Sequence, residues 1–184
     1  MKLNCKLHDP WVIETDYVGD INFFQKYMDD IEWVDTNKLY DSYDEYHEAM
    51  ENTQYMNRHY IKHIKNFDMP LKKYILQLFR ALGIKSKDWR AEFFLTKAGG
   101  NVPMHIDTFS KAVILLPLSK NTGPLVCEKD GNTFELTYQT LTVLNTQNMH
   151  GVEPPTEDRL LFRVATHDVD FEDVGVYKEL ANAN

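Results

Sequence analysis

A mainly β domain, an antiparallel barrel or sandwich with helices supporting one side, is the fold class this sequence predicts. Three observations carry that expectation. Apolar residues recur at helical spacing before about residue 88 and at alternate positions after it. The second half divides into roughly six to eight short extended segments with no helical pattern between them. The hydrophobic share, 43% of 184 residues with 12% aromatic, is enough for one proper core.

Segment 18–32, VGDINFFQKYMDDIE, sets Ile21, Phe24, Tyr27, Met28 and Ile31 at helical spacing. Residues 40–60 are rich in Tyr, Asp and His, and no period assigns them a structure. In PLKKYILQLFRALG, Pro70 suits a helix's first turn, Leu71, Tyr74, Ile75, Leu78, Phe79 and Leu82 line one side, and Gly83 supplies the stop. Residues 1–88 are therefore expected to form a mostly helical support region.

From Trp89 the period becomes two. WRAEFFLTK (89–97) reads as a strand ending at a Gly99-Gly100 turn, followed by VPMHID, KAVILLPL (111–118), PLVCEK (124–129) and NTFELTY (132–138). Asp130-Gly131 between the last two is a type I′ hairpin signal. TLTVLN (140–145) and RLLFRVAT (159–166) complete the series. Short antiparallel strands without intervening helices point to a double-stranded β-helix of the jelly-roll or cupin kind over 89–168. Residues 169–184 are expected to be a C-terminal tail, and 1–184 a single domain without repeat, low-complexity segment or linker.

The net charge of −8 argues against a general nucleic-acid binder, because phosphate contacts need a cationic surface. Residues 58–97 are locally basic, with 10 Lys/Arg against 3 Asp/Glu. They read as a solvated face that balances the acidic first third, with an anion- or polymer-binding surface as the alternative. The N-terminus lacks a signal peptide's apolar run, and no segment has the length of a membrane span. A cytoplasmic protein is expected, with Cys5 and Cys127 as reduced structural thiols.

The chemistry concentrates in NVPMHIDTFS (101–110) and NTQNMHGVEPP (145–155). Strand residues i and i+2 share a face, so His105 and Asp107 project to the same side. His150 follows 45 residues after His105. Two histidines and a carboxylate on one side of a metal leave the opposite positions open, the facial triad of non-haem Fe(II) oxygenases. Arg159 opens RLLFRVAT nine residues after His150, on one face with Leu161, Arg163 and Ala165. An arginine pointing into a barrel needs an anion, and a 2-oxo dicarboxylic acid held at the metal would bring one.

This order, H-x-D, then H, then R in an apolar strand, resembles the Fe(II)/2-oxoglutarate-dependent dioxygenase superfamily. HGVEPPTEDRLLFRVATHD is similar to the terminal strands of the aspartyl/asparaginyl β-hydroxylase and proline hydroxylase branch. The likeness covers about residues 89–168. It implies that His105, Asp107 and His150 bind Fe(II) and that Arg159 binds the distal carboxylate of 2-oxoglutarate, with O2 as co-substrate and ascorbate as a stimulant. It also implies hydroxylation of a free amino acid or of an amino-acid residue in a peptide or protein, led by proline, aspartate or asparagine. Many relatives carry serine two places after the arginine. Leu161 stands there in this chain, so a hydroxyl partner for 2-oxoglutarate must come from another strand. Halogenases of the superfamily vacate the acidic position, so Asp107 favours hydroxylation.

Other residues carry weaker expectations. Arg163 reads as a salt-bridged residue at the barrel rim, with a second anion contact as its alternative. Arg90, Lys97, Lys111 and Arg163 are candidates to meet a substrate carboxylate, with an exposed salt bridge as the equal alternative for each. His59 and His63 fall at i, i+4 and read as a solvated helix face, since no glutamate follows His59 as a zincin helix requires. No GxSxG, GxGxxG or Walker loop is present. Two other functions compete: a nucleobase or nucleic-acid oxygenase with the same chemistry, and a non-catalytic cupin-like binding module.

Overall fold

The 17-residue strand β5 (Trp89–His105) organises the molecule. It is seen in a computed structural model that describes residues 2–29, 32–36, 57–64 and 67–183. The expected turn at Gly99-Gly100 is corrected, because the strand runs through both glycines. Gly99 sits at φ +73°, a left-handed conformation that glycine adopts without a Cβ clash. The chain thereby leaves one sheet and enters another without reversing.

The first half of β5 lies between β4 (Asn57–His63) and β11 (Arg159–Thr166). Beyond β11 the larger sheet continues through β6 (Ala112–Pro117), β9 (Thr142–Asn145), β2 (Val12–Thr15) and β1 (Cys5–His8). On the other side β3 (Val34–Asp35) pairs with β4. The second half of β5 pairs with β10 (Met149–Val152), followed by β7 (Leu125–Lys129) and β8 (Asn132–Leu136). All of these pairings are antiparallel, and the two curled layers form the expected double-stranded β-helix. At the β7–β8 hairpin, Asp130 and Gly131 take φ of 52° and 76°, as a type I′ turn requires.

Two apolar cores separate the layers. On the outer face of the larger sheet, Phe93, Phe162, Ile114 and Leu116 pack beneath Phe24 of α1 (Ile21–Asp29) and Leu71, Ile75 and Leu78 of α2 (Met69–Leu82). Between the sheets, Val113, Leu115, Leu144, Leu161 and Ala165 meet Leu125, Cys127 and Tyr138. Strand β6 serves both cores, which is why AVILLP is apolar throughout and buried at every position. Helix α2 is bounded as its sequence predicts. Asp68 caps its N-terminus by accepting from the Leu71 N–H at 2.9 Å, Pro70 lies in the first turn, and Gly83 closes it at φ 70°.

The mostly helical reading of residues 1–88 needs amending, since β1 to β4 also lie there and lengthen the larger sheet at both ends. Strands of two to seven residues are too short for periodicity to separate from loop. Ile31, expected on α1, lies outside the described residues, as does most of 40–60. The C-terminal segment is no loose tail. Phe171 and Val174 are buried in the outer core, and α3 (Gly175–Ala181) begins where Gly175 packs against Gly83 so closely that a Cβ on either would clash. Both cysteines are free thiols. Among the described residues, no helix is long and apolar enough to cross a membrane.

Candidate metal centre

His105 and His150 are direct cross-strand partners of β5 and β10, with ring centroids 4.4 Å apart. In each, Nδ1 meets the carbonyl oxygen two residues earlier, Pro103 at 2.8 Å and Asn148 at 3.0 Å. A carbonyl only accepts, so each Nδ1 carries the hydrogen and each Nε2 keeps its lone pair. Asp107 lies just beyond the end of β5, its Oδ1 3.4 Å from His105 Nε2. The three side chains each offer one ligand atom within 4.8 Å of the others.

The charges suit a cation. Burial, reinforced by His105 alongside, holds His150 down to about 4, so it is a neutral donor at neutral pH. Burial alone would raise Asp107. The close approach of His105 and the Arg163 charge outweigh it and hold the carboxyl well below the usual range. Asp107 Oδ2 accepts from Arg163 Nη2 at 2.8 Å, which leaves Oδ1 for a metal. Two imidazoles and one carboxylate oxygen fit a borderline divalent ion such as Fe(II).

Arg163 is not at the rim: it is 6% exposed, and both of its terminal nitrogens are paired. It donates to Glu92, Asp107 and Ser110, and its guanidinium lies over the Phe94 ring. Glu92 is fully buried. Burial would raise its pKa, but His63, Arg163 and Arg90 together hold it at about 2. His63 Nδ1 stands 3.0 Å from Glu92 Oε2, an ion-pair distance without hydrogen-bond alignment.

Arg159 presents the opposite case. It is 2% exposed, and among the described residues its side chain makes one hydrogen bond, from Nη2 to Thr96 Oγ1 at 3.2 Å. Among the described residues Nε and Nη1 are buried without a partner, as are the Tyr138 hydroxyl and His59 Nε2. An uncompensated buried guanidinium costs several kcal/mol, on the order of 3–5, unless an anion joins it. Arg159, Tyr138 and His59 line the same cavity of about 640 Å³ as His105, Asp107 and His150.

The four predicted residues thus converge on one cavity. Of the candidates for a substrate carboxylate, Arg90 lines it, whereas Lys97 is bound to Asp158 and Lys111 to Asp170. His59 and His63 are corrected from helix to strand β4, where His59 is buried rather than solvated. Four residues went unforeseen: His59, Glu92, Thr96 and Tyr138. The alternation in WRAEFFLTK, with Arg90, Glu92 and Thr96 on the face opposite Ala91, Phe93 and Leu95, is the signal that points to two of them. Register then aligns Thr96 with Arg159 and Glu92 with Arg163.

No protein-family model matches the sequence, and no curated protein matches it. Among solved structures the chain is similar to HygX from Streptomyces hygroscopicus with nickel, 2-oxoglutarate and hygromycin B bound. That match has 10% identity and a TM-score of 0.53, and covers 86% of this chain and 83% of that one. A Pseudomonas putida prolyl-4-hydroxylase aligns at 15% identity over 80% of this chain and 98% of its own, with a TM-score of 0.48. At 10% identity the likeness to HygX speaks for a shared fold alone.

Proposed function

We propose that the protein is an Fe(II)- and 2-oxoglutarate-dependent dioxygenase that hydroxylates an unactivated C–H bond. One observation carries this reading: a His-Asp-His cluster and a buried, partly unpaired arginine line one cavity. His105, Asp107 and His150 would hold the metal, and Arg159 the distal carboxylate of 2-oxoglutarate. Bound iron supplies activation of dioxygen at the positions the three ligands leave open. One oxygen atom enters the substrate C–H bond and the other ends in succinate, as 2-oxoglutarate loses carbon dioxide. The protein's own part is to keep the His150 imidazole neutral, to aim both rings through their Nδ1–carbonyl contacts, to restrain Asp107 through Arg163, and to fix the co-substrate at its far end.

The substrate we assign is an amino acid or an amino-acid residue in a peptide, on the likeness of the terminal strands to the aspartyl/asparaginyl and proline hydroxylase branch. Arg90, half-exposed in the cavity and tethered through Nε to Glu92 at 3.3 Å, is placed to meet a substrate carboxylate. The motive for the nucleic-acid alternative is weakened, because the described residues of the basic 58–97 segment fall on separate elements. They are divided among β4, α2 and β5, with Lys62 buried and Lys97 paired. A panel of amino acids, peptides and oligonucleotides, assayed with Fe(II), 2-oxoglutarate and ascorbate for succinate and for a product 16 mass units heavier, on the order of one oxygen atom, tests the proposal. A binding module would release no succinate with any of them.

A further inference from the structure

His59 lies outside the stretch that carries the dioxygenase resemblance, yet it reaches the Arg159 chamber from a neighbouring strand. His59, Thr96 and Arg159 are successive partners across β4, β5 and β11. Two of them meet on one hydroxyl: His59 Nδ1 lies 2.8 Å from Thr96 Oγ1, and Arg159 Nη2 lies 3.2 Å from it. A guanidinium only donates, so Thr96 accepts from Arg159. Thr96 is fully buried and, among the described residues, its hydroxyl proton meets no acceptor but His59 Nδ1, so the geometry assigns it there.

A neutral imidazole that accepts at Nδ1 carries its hydrogen on Nε2. Burial, with Arg159 nearby, keeps His59 neutral. Phe94 stands edge-on to the ring at 4.9 Å and fixes its plane. Among the described residues His59 Nε2–H therefore joins Arg159 Nε–H and Nη1–H as a buried donor without an acceptor, with the Tyr138 hydroxyl also unpaired. A group that brings donors of its own, such as an amide, would set hydrogen against hydrogen here. A carboxylate brings acceptors alone.

We infer that His59 is a second binding residue for the distal carboxylate of a 2-oxo dicarboxylic acid, and that with Arg159 it makes the chamber select a carboxylate over an uncharged end. The inference rests on the dioxygenase reading above. It extends the co-substrate site to β4, which no part of the H-x-D, H, R pattern reaches.

The test compares His59→Gln with His59→Asn. A glutamine amide nitrogen reaches the place of Nε2, whereas asparagine stops near Nδ1 and keeps only the Thr96 contact. Binding of 2-oxoglutarate and of 2-oxopentanoate, which lacks the distal carboxylate, is measured by calorimetry on Mn(II)-loaded protein, with circular dichroism to check the fold. Wild type should prefer 2-oxoglutarate. His59→Asn should weaken 2-oxoglutarate about 10- to 100-fold, the scale of one hydrogen bond to a charged group, and leave 2-oxopentanoate unchanged. His59→Gln should retain most of the preference. Equal 2-oxoglutarate affinity in the folded Gln and Asn variants would overturn the role of His59 while leaving the Arg159 site standing. A wild-type protein that binds the two acids equally would overturn the carboxylate chamber itself, and the dioxygenase reading of Arg159 with it.

Discussion

Arg159 and Arg163 share one face of β11, yet Arg163 is satisfied by Glu92, Asp107 and Ser110 while Arg159 leaves two nitrogens buried and unpaired. The two should respond oppositely to truncation. Arg159→Met should raise the KM for 2-oxoglutarate by about 2–4 kcal/mol of lost charge-assisted pairing and leave folding nearly untouched or improved. Arg163→Met should instead destabilise the fold by roughly 3–5 kcal/mol, because Glu92 is left buried without its guanidinium. Co-substrate KM and urea unfolding of both variants separate the two roles.

The candidate metal ligands give a second prediction. His105→Ala, Asp107→Ala and His150→Ala should each abolish turnover and weaken divalent-metal affinity by more than about 100-fold, beyond what loss of an outer-shell partner costs. Asp107→Asn is the cleaner probe, since its amide oxygen still accepts from Arg163 while the ligand charge is gone. Full metal affinity and activity in Asp107→Asn would place the metal elsewhere.

Backbone approach sets the geometry of the histidine pair. A Cβ on Gly151 would stand 2.8 Å from the Val102 carbonyl oxygen and 3.0 Å from Met104 N, so β10 could not lie as close to β5. Gly151→Ala should separate His150 from His105 and reduce metal affinity about tenfold or more, at the 1–3 kcal/mol that overpacking costs. Metal titration alongside circular dichroism reads the effect. Unaltered affinity would show that the strand pair yields without moving its histidines.

Much of this was legible in the sequence where the determinants are local. The caps of α2 at Asp68 and Gly83, the Asp130-Gly131 turn and the apolar run of β6 each depend on a few neighbouring residues. The candidate ligands His105, Asp107 and His150 and the candidate co-substrate residue Arg159 stand out in the sequence through their order and spacing. What was hidden depends on register. His59 reaches Arg159, and Glu92 reaches Arg163, only after β4, β5 and β11 align, and no local pattern states that alignment. Gly99-Gly100 misled for a physical reason, since the left-handed freedom that makes a turn also lets a strand change sheets.

Acid should expose the buried histidine. Burial, and then the Arg159 charge, hold His59 down to about 3 from an ordinary 6.5. As pH falls below 6.5 the unfolded chain takes up this proton and the folded chain does not, so stability declines toward about pH 3. The slope is about 1.4 kcal/mol per pH unit for this one group. Glu92 adds loss in a lower window, because its contribution is complete above about 4.5 and vanishes as pH falls toward 2. Urea midpoints between pH 7 and 5 should therefore fall less steeply in His59→Gln than in wild type. Identical slopes would contradict a neutral, buried His59.

The most direct measurement of the central claim is an anaerobic titration of the protein with Fe(II) and 2-oxoglutarate, followed by the visible charge-transfer absorption that iron shows when a 2-oxo acid chelates it. The account predicts a band that saturates at one iron and one 2-oxoglutarate per chain, is lost in His150→Ala, and in Arg159→Met needs much more 2-oxoglutarate to appear. A protein that binds no iron, or a band of full strength and unchanged affinity in both variants, would contradict it.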